Sequence, residues 1–425
     1  MNIRFLTIPL TALCLVACSG SGQDDPSIPD PPTPNPNLTS IGFGGNSGAW
    51  QDAPASRTTD SKGLETLFNS FKVWGYKTTN NAPQIVMGGY NVIYKENTTG
   101  NSEGSTAGNS DKSTEGSTAG GSASNTTTWE YVGINNTQLA ITQTIKYWDY
   151  SASDYRFFAY APADASITSS KITSTDGNPQ LAFSIPYTYT ENATDTTTPY
   201  VSDLWYSDNT NTENKYGSTV KLTFAPVIAK VRFKFSYPDN IKKITIHDIQ
   251  FRDSRLVDNS ETKTNPETKI FPKKGTITAT YSLTGTPQAN ETTQSYPPTL
   301  AWTTSSDADA KGSLVLDTPY EEENDKIHII NDINKYHKWY YLPPLGLSTN
   351  DDDKPSTYTI NATINGKHSS ATIPADYMQW KAGYQYTYIF KITEAGDDIT
   401  FDDLEVEVWK PGKDIDNKGS GTAGW

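Results

Sequence analysis

The side chains best able to undergo covalent chemistry are two cysteines, and both lie within the first eighteen residues of this 425-residue chain. Cys14 lies inside an apolar run, Phe5 to Val16, that follows the basic Arg4, and Cys18 closes the sequence LVAC. A basic start, a short apolar run and small residues before a cut are typical of a secretory signal, since a membrane-spanning helix needs about 20 residues. We therefore expect residues 1–17 to be a signal peptide.

The tetrad Leu15–Cys18 resembles a bacterial lipobox. In chains that carry this motif the cysteine sulfur is diacylated and the chain is cut just before it, so the resemblance implies a lipid on Cys18 that holds the protein to the cell outer membrane. The alternative is an ordinary signal peptide in which the cysteine is accidental. In both cases the folded part lacks cysteine, which excludes an internal disulfide and a thiol nucleophile.

Other residues with catalytic or metal-binding chemistry are sparse. No Gly-x-Ser-x-Gly elbow and no glycine-rich phosphate cradle opens a helix, and the consecutive carboxylates Asp351–Asp353 lack the alternate spacing of a calcium loop. The four histidines are scattered, with no metal-ligand spacing and no catalytic-triad context: His247, His328, His337 and His368. We therefore expect no enzyme, no metal ion and no cofactor.

The charge of the chain restricts its partners. Loss of residues 1–17 removes Arg4 and no acidic residue, so 33 basic side chains remain against 48 acidic ones and the net charge changes from −14 to −15. A phosphate backbone or an anionic lipid surface would repel such a protein. We therefore exclude nucleic acid as a partner.

The composition predicts an all-β protein. The chain has 25 Tyr and 10 Trp but only 3 Met, and its Thr-, Val- and Ile-rich segments are separated by Gly, Pro, Asn and Asp, which is typical of short strands joined by turns. No segment sustains an apolar period of 3.6 residues. Strands are expected over Phe71–Tyr76, Ser184–Tyr189, Val220–Phe224, Lys230–Phe235, Ile244–Ile249, Thr276–Tyr281, Ser313–Leu316, Trp339–Leu342, Tyr358–Ile364, Tyr384–Ile392 and Ile399–Trp409.

Two of these segments alternate most clearly. In Lys230–Phe235 the apolar Val231, Phe233 and Phe235 share one face, so we expect them to point inward and the three intervening cations to point to water. In Tyr384–Phe390 every other residue is aromatic, and four large rings on one face can fill the core of a sandwich.

The domain organisation follows from shifts in composition. Residues 18–37 are small, acidic and proline-rich, which predicts a flexible tether. A turn-forming YPDN sequence separates an N-terminal domain, 38–237, from a C-terminal domain, 238–409, and a polar tail follows at 410–425. Residues 97–128 contain a duplicated EGSTAG and too few apolar residues to fold, so we expect a low-complexity loop inside the first domain.

Several segments resemble, in this order along the chain, the fimbrillin-like (Mfa-like) family of Bacteroidetes: Tyr155–Pro162, Ser202–Tyr206, Val220–Phe224, Ile228–Phe233, Tyr341–Pro344, Trp380–Tyr388, Ile399–Phe401 and Trp409. The family's LPPQ-type strand end is incomplete here, because no glutamine follows Pro344. The resemblance covers some 370 residues and implies two tandem transthyretin-like β-sandwich domains. The acidic pair Asp24–Asp25 resembles a Bacteroidetes surface-export signal, or serves solubility alone.

The resemblance also implies a role. Fimbrillins reach the cell surface as lipoproteins, and a trypsin-like or arginine-specific protease then removes the lipid together with the first strand. The vacated groove accepts a strand from the next subunit, so the partners are other fimbrial subunits and the final location is the fimbrium. Physically this is strand addition, in which backbone hydrogen bonds give affinity and side-chain pockets give specificity.

Candidate residues for this process can be assigned. Arg57 is the one arginine between Cys18 and Tyr155 and lies in the small-residue sequence PASRTT, so we predict processing after Arg57, with Lys62 as a second trypsin-like site. Cleavage there would release a first strand containing Ile41 and Phe43 on one face. The donor is either Phe401–Trp409 after a rearrangement, or the subunit donates poorly. Stalk and accessory roles both stay open.

The alternative function is a permanently anchored surface lipoprotein that binds host or microbial glycans. Sugar binding uses exposed aromatic rings beside polar groups, and Trp50, Trp205, Trp302 and Trp425 lie in loop-like contexts. We interpret Trp205 as a ring that caps a core edge, and we predict Trp302 as the glycan contact.

Overall fold

The all-β prediction is confirmed. The computed structural model of the chain forms strands and short 3-10 helices, with no α-helix in the residues that it describes. The 3-10 helices within the described residues are Leu64–Thr66, Asp195–Thr197, Leu345–Leu347 and Ala375–Met378. The described residues are 39–47, 64–95, 128–133, 142–191, 193–208, 210, 214–236, 246–253, 271–287, 295–307, 309–312, 314–315, 322–323, 326–327, 338–348, 357–393 and 395–409.

The described strands follow one another along the chain as β1 (Phe43–Ser47), β2 (Ser70–Thr79), β3 (Ala82–Tyr94), β4 (Trp129–Glu130), β5 (Asp154–Ala161), β6 (Thr168–Thr173), β7 (Pro179–Thr188), β8 (Tyr200–Ser202), β9 (Trp205–Ser207), β10 (Val220–Pro226), β11 (Ala229–Ser236), β12 (Ile246–Asp253), β13 (Phe271–Pro272), β14 (Lys274–Ser282), β15 (Thr299–Thr304), β16 (Lys311–Gly312), β17 (Leu314–Val315), β18 (Glu322–Glu323), β19 (Lys326–Ile327), β20 (Tyr340–Leu342), β21 (Tyr358–Ile364), β22 (Lys367–Ile373), β23 (Tyr384–Ile392) and β24 (Ile399–Val408). The predicted segments Tyr358–Ile364 and Tyr384–Ile392 coincide with β21 and β23. The other expected strands are present with shifted ends, which is where sequence patterns are least informative.

The first sheet has eight strands in the order β2-β3-β4-β1-β10-β8-β5-β9, and it closes on itself because β5 also pairs with β2. Its interior is filled by aromatic rings, among them Phe43, Phe71, Phe157 and Trp205. Such rings meet edge to face, and each pair adds about 0.5–1.5 kcal/mol beyond the area that it buries. The sheet therefore encloses a core in which aromatic rings pack together with branched aliphatic residues such as Val73, Val220 and Leu222.

The second sheet combines strands from both sides of residue 237. Its order is β15-β14-β7-β6, and β14 pairs with β7 over nine residues, from Lys274↔Thr188 to Ser282↔Gln180. Its aromatic core includes Phe183, Tyr281 and Trp302. The division of the chain into two tandem domains at residues 237 and 238 stays a prediction.

Two four-stranded sheets, β20-β11-β23-β24 and β17-β12-β21-β22, hold a third hydrophobic core between them. The two expected alternations supply it. Val231, Phe233 and Phe235 of β11 are buried, and so are Tyr386, Tyr388 and Phe390 of β23, while Tyr384 is half-buried. Two-stranded pairs, β13-β16 and β18-β19, complete the described sheets.

The expectation that all three cations of β11 point to water is wrong for Lys230. Its side chain is buried, with Nζ 3.1 Å from Asp195 Oδ1 and 5.0, 5.5 and 5.5 Å from the ring centroids of Trp339, Tyr341 and Trp409. Lys230 is buried because of tertiary contacts. β11 is a central strand, and the rings of Trp339, Tyr341 and Trp409 cover its second face at Lys230. The ammonium therefore needs both a carboxylate and ring faces inside the protein.

Candidate functional site

The candidate site is the position that β1 occupies in the closed sheet. Before the strand begins, the Ile41 N–H donates to the Lys146 carbonyl at 2.8 Å, and the Trp148 N–H donates to the Thr39 carbonyl at 3.0 Å. The strand then pairs in parallel with β10, from Phe43↔Val220 to Ser47↔Phe224. On its other edge it meets β4 through the single antiparallel pair Phe43↔Trp129. Backbone hydrogen bonds therefore hold this segment on both sides.

Two side chains anchor the segment in the core. Ile41 and Phe43 are 0% and 1% exposed, which agrees with the prediction that they share one inward face. The Phe43 ring meets Phe71, Tyr131 and Phe157 edge to face, with centroid distances of 6.1, 5.7 and 5.8 Å. Burial of such side chains stabilises by about 1.5–3 kcal/mol each. These two residues therefore anchor the segment 41–43 in the apolar core.

Tyr131 forms part of the wall against which the anchors lie. Its hydroxyl donates to the Ile41 carbonyl at 2.8 Å, and burial raises the pKa of this phenol well above its usual value. The phenol is therefore protonated, and able to donate, at any physiological pH. Nothing in its sequence context marked Tyr131, because its role depends on a carbonyl ninety residues away.

Two buried polar residues hold the neighbouring backbone, and sequence reasoning missed both. The Gln143 amide donates to the carbonyls of Asn91 and Tyr131, both at 2.9 Å, and accepts from the Asn91 N–H at 2.9 Å. Glu130 accepts from the Tyr131 and Val132 N–H groups and forms an ion pair with Lys95. Satisfied buried polar groups of this kind fix one backbone arrangement. The wall beside the β1 position is therefore held in one backbone arrangement by these hydrogen bonds.

The predicted donor segment, Phe401–Trp409, includes most of β24. Within the described residues this strand pairs with β23 alone and forms a sheet edge, and acidic side chains along it are exposed, as is common on protected edges. Its end is fixed, because the Trp409 N–H donates to the Gly383 carbonyl at 2.9 Å and the Trp409 ring lies 5.5 Å from that of Tyr341. Donation by this segment would first require release of Trp409.

The prediction that Trp302 offers an exposed ring is wrong. Trp302 lies on β15, is 0% exposed and contacts the Tyr187 ring edge to face at 5.6 Å, while its indole N–H donates to Thr304 Oγ1 at 3.0 Å. A ring inside the core cannot stack on a sugar. The interpretation of Trp205 as a core residue is confirmed, since it is 4% exposed.

The remaining predicted site residues lie outside the described residues. These are Cys18, Trp50, Arg57, Lys62, Asp351–Asp353 and Trp425. Among the residues that are described, no group of three or more His, Cys, Asp or Glu could hold a metal ion. The described part of the chain also contains no helix with the length and apolar character needed to cross a lipid bilayer.

Comparison with known proteins gives one family. A sequence model of the fimbrillin-like family matches residues 93–409, and no curated protein matches the chain. Among solved structures, a candidate cell adhesion protein from Bacteroides uniformis is 12% identical, with 88% of this chain and 99% of that chain covered and a TM-score of 0.39. A fimbrial assembly protein from Parabacteroides distasonis is 7% identical, with 84% and 96% covered and a TM-score of 0.30.

Proposed function

Because the chain belongs to the fimbrillin-like family, we propose that it is a structural and adhesive fimbrial subunit, exported as a lipoprotein through Cys18 and assembled by protease-triggered strand exchange. The observation that carries the proposal is the setting of β1. This strand completes a closed sheet and fills the centre of a core, yet it stands at the start of the described chain, ahead of the predicted processing residue Arg57.

The physical case rests on what removal of β1 would expose. The ladder edge of β10 would lose its partners over five residues, and the rings of Phe71, Tyr131 and Phe157 would lose the Phe43 ring between them. Unpaired backbone groups and an open apolar groove are costly in water. An extended segment with apolar side chains at alternate positions would restore both sets of contacts, which is the chemistry of strand addition.

The partner in this mechanism is another fimbrial subunit, and the donor is a strand of that subunit. Phe401–Trp409 is the candidate donor in this chain, because its outer edge carries no other described strand. Its acidic side chains and the anchored Trp409 ring oppose donation, so a subunit of this type that accepts a strand without donating one is equally consistent with the proposal. Such a subunit would terminate a filament.

The proposal is tested with protein that begins after Cys18. We expect an arginine-specific protease to cleave after Arg57, as read by terminal sequencing, and thin filaments to appear in electron micrographs. Arg57→Ala should abolish both results, whereas the neighbouring Lys62→Ala should change neither. Cleavage without filaments would indicate a terminal or accessory subunit.

Two outcomes would contradict the proposal. Resistance at Arg57 together with a persistent monomer would favour a permanently anchored surface lipoprotein that binds glycans. Filaments that form equally well from the uncleaved Arg57→Ala variant would exclude processing at this residue as the trigger.

A further inference from the structure

A polar groove of about 390 Å³ lies on the sheet formed by β12, β21 and β22, away from the β1 position. In β21, Ile360, Ala362 and Ile364 belong to the core between the two C-terminal sheets, so the intervening Asn361 and Thr363 lie on the opposite face. That face carries polar residues across all three strands. The groove therefore belongs to the outer surface of the sheet.

The strand register arranges these polar residues in rows. Asn361 is paired with Gln250 of β12 on one side and with Ser370 of β22 on the other. In the next row Thr363 is paired with His368, and Thr363 Oγ1 lies 3.2 Å from His368 Nδ1. Amide, hydroxyl and imidazole groups thus stand side by side at the spacing of a β-sheet.

A β-bulge distorts β12 at the groove. The register shifts between His247 and Gln250, so Asp248 and Ile249 together oppose Ala362, and Asp248 has a φ of 52°. Left-handed backbone is uncommon for residues other than glycine, and bulges that aim a side chain are frequent beside functional sites. Asp248 lines the groove and its carboxylate is 2.6 Å from His247 Nδ1. The strained backbone therefore places one carboxylate at the groove.

A buried polar atom with no described hydrogen-bond partner lies at the same groove. Asn361 Nδ2 is buried and has no hydrogen-bond partner among the described residues. Buried polar atoms in native proteins are almost always hydrogen-bonded, so an exception needs an occupant or a displaced neighbour. Two independent features therefore occur at one groove: the left-handed backbone of Asp248 and the buried Asn361 amide nitrogen that has no hydrogen-bond partner among the described residues.

The lining groups select the chemistry of the ligand. The described residues that line the groove include neither lysine nor arginine, which are the usual donors to phosphate or carboxylate ligands. One carboxylate with neighbouring amides and hydroxyls can both accept from and donate to vicinal hydroxyl groups. The volume is also in the range of small-ligand sites. We propose that this groove binds one pyranose unit of a neutral glycan.

This site would act independently of strand exchange, because it needs neither processing at Arg57 nor assembly. Among the described residues that line the groove there is no Phe, Tyr or Trp, so the affinity would come from hydrogen bonds in an open, wet site. A dissociation constant of about 1 mM is therefore expected for a single sugar.

Saturation-transfer NMR on the purified full chain tests the proposal. The probes are the methyl glycosides of glucose, galactose, mannose and N-acetylglucosamine at about 10 mM, tenfold above the expected dissociation constant. We expect transfer to at least one glycoside. Titration of that glycoside should give a dissociation constant at least about tenfold higher in Asn361→Asp, which keeps the shape but removes the donor, and in Asp248→Ala. Thr168→Ala, on the exposed strand β6 of another sheet, should keep the full signal.

Near-ultraviolet circular dichroism of each variant, compared with that of the unsubstituted chain, shows whether the variant is correctly folded. If no glycoside receives saturation, the groove is not a pyranose site. If transfer survives in both Asn361→Asp and Asp248→Ala, the sugar binds elsewhere and the assignment is overturned. Neither result bears on filament formation, so the failure of this inference and the failure of the proposed function are distinguishable.

Discussion

Truncation of Phe43 is the most direct test of how firmly β1 belongs to the core. Phe43 is 1% exposed and its ring contacts three aromatic rings edge to face. Replacement of such a residue by alanine costs about 3–5 kcal/mol of unfolding free energy, as the sum of lost transfer energy and a cavity. Phe43→Ala should therefore remove a large part of a stability that is typically about 5–15 kcal/mol.

The expected loss has an upper limit that depends on β1 itself. If β1 detaches while the rest of the protein stays folded, the variant cannot lose more than the free energy that holds the segment in place. Burial of Ile41 and Phe43 contributes about 3–6 kcal/mol before the entropy of ordering the segment is subtracted. We therefore expect a loss of about 3 kcal/mol, accompanied by faster hydrogen exchange at the Ile41 amide, which is bonded to the Lys146 carbonyl.

Two measurements and one control separate these effects. Urea unfolding followed by tryptophan fluorescence gives the stability, and hydrogen exchange of the peptide spanning 39–47 reports local opening. Phe235→Ala is the control, because Phe235 is 2% exposed in a different core and should lower stability without opening β1 selectively. A loss below about 1 kcal/mol for Phe43→Ala, with unchanged exchange at Ile41, would refute the placement of β1 in the core.

Two further predictions concern buried polar groups. Lys230→Ala should lower the unfolding free energy by about 3–5 kcal/mol, because it leaves Asp195 without its cation. The control Lys234→Ala, on the same strand, should cost less than about 1 kcal/mol. Equal effects of the two substitutions in urea unfolding would contradict the burial of the Lys230 ion pair. Burial raises the pKa of Tyr155 and of Tyr386 to about 12, from 10.0. Because the folded-state pKa is the higher one, this stabilisation is complete below pH 10 and is lost as the pH rises from 10 to 12. Stability measured across that interval should fall, and the tyrosinate absorbance that is missing from Tyr155→Phe and Tyr386→Phe should develop near pH 12. If that difference already appears at pH 10 in the folded protein, the burial is contradicted.

The sequence predicted those parts of the fold that depend on local periodicity. Val231, Phe233 and Phe235 are buried as their spacing indicates, and β21 has the predicted bounds. Lys230 and Trp302 show where this reasoning stops. Lys230 is a charged residue in an alternating strand and Trp302 is followed by polar residues, yet both are buried by contacts with other strands. A period of two assigns residues to faces, but it does not reveal whether the second face is covered as well.

At the candidate site, too, the sequence predicted the features that depend on local spacing and missed those that depend on tertiary contacts. The spacing of Ile41 and Phe43 predicted that both face the core, but the strand expected over residues 40–44 lies at Phe43–Ser47 and leaves Ile41 just before it. The contributions of Tyr131 and Gln143 could not be predicted, because each depends on a backbone group that is distant along the chain. Glu130 binds local N–H groups, but its burial depends on the fold. The groove beside Asp248 was missed for a related reason, since a β-bulge has no reliable sequence signature when it contains no glycine.

The geometry of β1 also bears on why a replacement strand could bind more tightly under the proposed mechanism. β1 pairs with β10 in parallel over five residues, and parallel ladders are slightly less stable per residue than antiparallel ones. Phe43 is paired with Val220, but the strand continues as Gly-Gly-Asn-Ser, so it places no large apolar side chain beside Leu222 and Phe224. An incoming strand that ran antiparallel to β10, with apolar residues at alternate positions, would gain on both counts. It would lose the antiparallel contact with β4, but that contact is one residue pair, so the exchange would be favourable once cleavage makes the departure of β1 irreversible.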